Sequence, residues 1–215
     1  MRPLFRQEGR SLFLSLRPRV SSSGAVGLLL SGLVTTLATI GLVPHPGFAY
    51  RPSDLAQLGA SGGCPSCDLI AVQLNQTNLQ DADLRAADLR SAGLRAANLS
   101  RANLEAADLS RASLQGARLR RSNLRSARLY RTDFSRADLS RANLTEANLQ
   151  RADLREANLQ GAQLQDAFLA RANLTGANLT HARLSDAWTR NSGLEMATLC
   201  NTRMPDGSVV NRDCP

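Results

Sequence analysis

The apolar positions along this chain recur every five residues. Stepping from Leu69 meets Leu74, Leu79, Leu84 and Leu89, and the series continues through Phe134, Leu139 and Leu184 to Leu199 and Met204. Of 28 such positions only Thr189 is polar. The residue two places before each centre is small in nearly every case. Ala82, Ala87, Ala92, Ala97, Ala102 and Ala107 are examples, and Ser122, Thr132 and Ser192 are substitutes. The residue just before the centre is often Asp or Asn, as in Asp83-Leu84 and Asn98-Leu99. A period of five matches neither the 3.6 of a helix nor the 2 of a flat strand. On a helix these leucines would wrap around all sides, and on a strand they would alternate between faces. The period closes when each unit forms one side of a square coil. Leu and the small residue then point inward, and the other three positions meet solvent. Four units complete a coil of about twenty residues, and with coils about 4.8 Å apart the 28 units predict seven coils and a rod about 33 Å long. Each coil buries its faces only against its neighbours, so stability is roughly a nearest-neighbour sum.

The consensus A-[DN]-L-x-x, held over about 135 of 215 residues, resembles the pentapeptide-repeat family. That resemblance implies an all-β fold, a right-handed quadrilateral β-helix. It divides the chain into a leader at 1–49, an N-terminal cap at 50–66, the β-helix at 67–204 and a C-terminal cap at 205–215. In the first cap, Ser53 to Leu58 reads as a short helix. Ser53 or Asp54 would be its N-cap, Gly59 would follow its end, and Leu55 and Leu58 would lie over the first coil. Met204-Pro205-Asp206-Gly207 reads as a turn, after which the tail to Cys214 folds back over the last coil.

The leader has its own pattern. Five arginines fall between Met1 and Arg19, and an uncharged, mainly apolar run of 19 residues follows from Ala25 to Val43. Pro44 and Pro46 break it, and Gly47-Phe48-Ala49 fits a small-x-small cleavage site after Ala49. This reads as a secretory signal. Left uncleaved, the run would be a membrane anchor that nearly spans a bilayer core of about 30 Å. Either way the body lies outside the cytoplasm.

Composition narrows the function. Aromatics make up only 4% of the chain, and it has no lysine. From Tyr50 onward 21 Arg stand against 17 acids, a modest +4. Export and that small surplus make nucleic acid a poor partner. Quinolone-resistance members of the family bind gyrase through a strongly acidic, DNA-like surface, and this body has the opposite sign.

All four cysteines sit at the ends of the repeat: Cys64 and Cys67 at its start, Cys200 and Cys214 at its finish. An even count in an exported chain suggests disulfides. The ends of the rod are about 33 Å apart, and a bridge needs Cα atoms within about 7 Å. Only Cys64–Cys67 and Cys200–Cys214 meet that limit, and a zinc site using all four thiolates does not. Cys64-Pro65-Ser66-Cys67 also matches C-x-x-C, a thiol–disulfide exchange motif, so a redox protein is the alternative function. The Cys-x-x-Cys opening and the Met-Pro-Asp-Gly…Cys exit resemble exported pentapeptide-repeat proteins of cyanobacteria and chloroplast lumens. That likeness implies a thylakoid lumen or periplasm.

Residues twenty apart stack on one side of the rod. The last position of the unit gives one column, Arg111, Arg131, Arg151 and Arg171, and a second on the far side, Arg101, Arg121 and Arg141. The first is bordered by Asp88 and Asp108, then by Arg128, Phe168 and Trp188, the last two being outward aromatics. Arg and aromatics are enriched at interface hot spots, so this strip is the expected contact surface for an acidic protein partner. Catalysis finds no support: His45 lies in the leader, His181 stands alone on an outer position, and no nucleophile with a base, phosphate loop or cofactor motif is present.

Overall fold

The computed structural model describes residues 49–215. The leader and His45 lie outside the described residues. From Gly63 to Arg203 the backbone forms parallel bridges between residues twenty apart, Gly63 with Asp83 at one end and Arg183 with Arg203 at the other. The path is a coil of twenty residues per turn, a β-helix type of fold with little regular sheet. The named strands are only β1 (Thr202–Arg203) and β2 (Val209–Val210), an antiparallel pair near the C-terminus.

One unit shows why the sequence takes this path. Asn103 N–H donates one coil back to Ala82 C=O at 2.8 Å, while Leu104 and Ala106 N–H donate one coil forward to Asn123 and Arg125 C=O at 2.7 and 2.9 Å. Ala107 N–H closes the corner onto Leu104 C=O at 3.0 Å. The remaining donor, Glu105 N–H, reaches the Asn103 carboxamide oxygen at 3.2 Å. All five N–H groups are satisfied, as buried backbone demands. Asp or Asn before the Leu is therefore the local acceptor that a coil this tight cannot supply from its backbone. The corner sets the last residue of the unit in the left-handed region, φ 57° at Ala106 and 61° at Arg111.

The core is a file of Leu and Ala. Leu84, Leu104, Leu124 and Leu144 are all fully buried, and so is Phe134, the largest side chain inside. Ser122 and Thr132 replace Ala there, and their hydroxyls donate to the Leu119 and Leu109 carbonyls at 2.8 Å each. An alternation of one large and one small residue fits this narrow interior at interior packing density.

The regular file is interrupted near its end. Leu174 N–H bonds to Ser192 C=O, and a short 3₁₀ turn, Leu194–Met196, replaces the expected side. Gly193 enters it at φ 70°. Leu194 is only half-buried, contrary to the inward position its spacing predicts. Normal pairing resumes at Asn178–Thr198.

At the N-terminal end lies helix α1 (Pro52–Ser61), with Leu58 buried in the core and Leu55 packed on it. Its caps differ from the sequence reading. Arg51, not Ser53 or Asp54, is the N-cap, and Gly62 in the left-handed region, not Gly59, ends it. Pro52 explains the earlier start, because its fixed φ suits the first helical position. The Asp54 carboxylate instead accepts Asp68 N–H of the first coil at 2.8 Å. At the other end the tail folds onto the last coil: Leu199 N–H donates to Asp213 at 2.8 Å, and Asp213 N–H returns to Leu199 C=O at 3.0 Å.

Candidate functional site

The two cysteine pairs lie at opposite ends. Cys64 bonds to Cys67 and Cys200 to Cys214, with Cα atoms 5.5 and 4.8 Å apart. Cys64 and Cys67 are both buried, at 0% and 6% exposure. Among the described residues no group of three His, Cys, Asp or Glu is placed to hold a metal. His181 is exposed on a corner, at φ 60°.

The charged surface is organised by the corners. Arg111, Arg131, Arg151 and Arg171 each occupy the left-handed corner position of successive coils, φ 57–62°, and all four are exposed. Among the described residues none of them joins an ion pair, and only Arg131 has an aromatic contact, its guanidinium 5.3 Å from the Tyr130 ring centre. Beside this Arg edge, Phe168 bridges to Trp188 through the backbone. Their rings stack 6.3 Å apart at 24°, at 39% and 66% exposure. The bordering Asp108 meets Arg128 at 3.9 Å, and Asp88 is taken by Arg90 at 2.6 Å.

The opposite edge behaves differently. Arg101 holds Asp81 in a bidentate pair at 2.6 and 2.7 Å, and that hydrogen-bonded guanidinium lowers the Asp81 pKa to about 2. Arg121 and Arg141 continue the column. Arg101 and Arg121 line a shallow surface depression with Gln80, Ser100 and Arg120.

A third column completes the picture. Glu146, Asp166 and Asp186 stack twenty residues apart on the corner just before the aromatic side, at φ 57–61°. Arg125 and Ser126 bind Glu146 at 3.0 and 2.8 Å. Asp166 and Asp186 make no side-chain hydrogen bond or ion pair among the described residues. The sequence signal for this acid edge is the same step of twenty that finds the arginines, applied to carboxylates.

The sequence model for pentapeptide repeats matches in eight copies, at residues 67–105, 94–125, 102–141, 122–161, 132–169 and 152–187. The chain belongs to the pentapeptide-repeat family. Solved pentapeptide-repeat proteins resemble it over most of their length. HetL, involved in heterocyst differentiation regulation in the cyanobacterium Nostoc, is 27% identical over 69% of this chain and 91% of its own, with a TM-score of 0.32. A protein of the Arabidopsis thaliana thylakoid lumen is 29% identical over 53% of this chain and 70% of its own, with a TM-score of 0.34. Rfr23 of Cyanothece is 30% identical over 63% of this chain and 92% of its own, with a TM-score of 0.24. No curated protein matches.

Proposed function

We propose that this pentapeptide-repeat protein is an exported, non-catalytic interaction module that offers its Arg edge to an acidic protein surface. The tube is a right-handed quadrilateral of about seven coils, closed at one end by α1 and at the other by the C-terminal hairpin. The compartment is a thylakoid lumen or periplasm, a reading that rests on the leader and on the two cysteine pairs, since disulfides persist in oxidising compartments.

One observation carries the proposal: Arg111, Arg131, Arg151 and Arg171 stand one above another on exposed corners, and none of them joins an ion pair among the described residues. Neighbouring like charges at coil spacing repel by about 1 kcal/mol in water, and an acidic surface laid along the edge relieves that repulsion. Replacing all four with Ser tests it. Ser already occupies the same corner geometry at Ser66, Ser91 and Ser126, so the fold is kept. The wild type should bind a polyglutamate matrix and elute with salt, and the four-Ser variant should flow through. Unchanged retention would overturn the proposal.

The thiol–disulfide alternative loses ground on burial, because exchange needs an accessible sulfur. In an insulin-reduction assay the protein and its Cys64→Ser variant should be equally inactive.

A further inference from the structure

The aromatic side has opposite charges on its two flanks. One flank is the acid edge, Glu146, Asp166 and Asp186, and the other is the Arg edge, Arg131, Arg151 and Arg171. Between them lie Asn148, Gln150, Ala170, Arg190 and the exposed Phe168–Trp188 stack. An aromatic centre with a charged rim is the make-up of a protein interface. Among the described residues Asp166, Asp186, Arg151 and Arg171 make no ion pair or side-chain hydrogen bond.

Height decides which charges can meet. Five residues climb a quarter of a coil, so Asp166 and Arg171 differ by about 1.2 Å along the tube and Asp186 and Arg171 by about 3.6 Å. Two copies can face each other through this side about a two-fold axis in two ways. With the axis across the tubes, Arg edge meets Arg edge and acid edge meets acid edge, which repels. With the axis along the tubes, heights are preserved and the flanks exchange. Arg171 of one copy then lies against Asp166 of the other, Arg151 against Glu146, and Arg190 beside Asp186. Symmetry repeats every pair, and the two aromatic stacks close on each other at the centre.

We infer that the acidic surface taken by the Arg edge is the acid edge of a second copy, giving a parallel, side-by-side dimer through the Phe168–Trp188 side. The inference rests on the Arg edge being a docking surface. It differs in naming the partner.

Charge reversal tests it by sedimentation of the full chain. One variant carries Arg151→Glu with Arg171→Glu, and the other Glu146→Arg with Asp166→Arg. Glu and Arg already sit at these corners elsewhere, as at Glu156 and Arg141, so both variants keep the fold. Wild type should be dimeric at micromolar concentration, and each variant alone should be monomeric. Their equimolar mixture should be dimeric again, because every opposed pair is then of opposite sign. Trp188, the sole tryptophan, should shift its emission to the blue in each dimer. A monomeric wild type, a variant that dimerises alone, or a mixture that stays monomeric overturns the inference. The two readings separate on the polyglutamate matrix. The Glu146→Arg, Asp166→Arg variant keeps the whole Arg edge and should still be retained, so failure of the dimer with retention intact removes only the second copy.

Discussion

The first coils and the last ones are built on the same core, and they differ in how their outer acids are held. Near the N-terminus Asp83 is bound by Arg85 at 2.7 Å, Asp88 by Arg90 at 2.6 Å and Asp81 by Arg101 at 2.6 Å. Near the C-terminus Asp166 and Asp186 have no such partner, Arg151 and Arg171 have none either, and the two exposed aromatics lie between them. The difference is not forced by the fold, because the corner geometry is common to both regions. Neutralised charge makes a quiet surface, and unmatched charge beside exposed rings makes one suited to a partner.

The aromatic side also gives up a local bond. Phe168 and Trp188 occupy the position where Asp or Asn would accept the N–H two residues on. Ala170 and Arg190 N–H accordingly have none of the bonds that Gln150 N–H makes to Asn148 at 3.1 Å. Functional surfaces are commonly where stability is surrendered.

The largest effect that could break this comparison lies in the core. If the two regions differ only on their surfaces, Leu104→Ala and Leu164→Ala should each cost about 2–5 kcal/mol and agree with each other, as denaturant unfolding can measure. A much cheaper Leu164→Ala would mean that the C-terminal coils are loosely packed, and that their unmatched charges report weak structure.

A smaller effect of opposite sign sharpens the point. Replacing Phe168 and Trp188 together with Asn removes one ring stack of about 1 kcal/mol and adds two side-chain acceptors of about 1 kcal/mol each. The net expectation is a gain of about 1 kcal/mol in unfolding free energy, with self-association lost. A net loss of stability would show that the rings serve the fold.

The smallest effect concerns a single proton. Asp81 titrates at about 2 in the folded chain against an ordinary 3.8, and Arg101 is the leading cause. Its folded pKa is depressed, so its stabilising contribution is present above pH 3.8 and is lost as pH falls toward 2. In Arg101→Ser the carboxyl should titrate higher, toward 3.8, with the Gln80 hydrogen bond still holding it somewhat down, read by NMR. A midpoint left near 2 would assign the shift to another neighbour.

Much of this was legible in the chain itself. The five-residue period and the small inward residue specify a coil of twenty, because no other regular backbone keeps every fifth side chain inside. The Asp and Asn before the centre are visible in the sequence, and the structure shows their role as local acceptors for the N–H two residues on. What escaped had specific causes. Leu194 keeps the period in sequence yet is only half-buried against the core, because Gly193 and the 3₁₀ turn replace the regular side there. Ser53 and Asp54 look like helix caps, but Pro52 begins the helix before them and frees Asp54 for the first coil. The acid edge escapes a search that follows arginine alone, and appears once both signs are followed at twenty residues.

The spacing of the backbone bonds sets what kind of lengthening the molecule can absorb. Nearly every bond between coils joins residues 19 or 21 apart. Duplicating twenty residues would add a storey and leave every outer column in line with its continuation. Inserting five would satisfy the interior equally well and turn everything beyond it by a quarter circle, carrying Phe168 and Trp188 onto a different wall from Arg111 and Arg131. Repeat expansion in such a chain is therefore tolerated by folding at one step and by recognition only at four times that step.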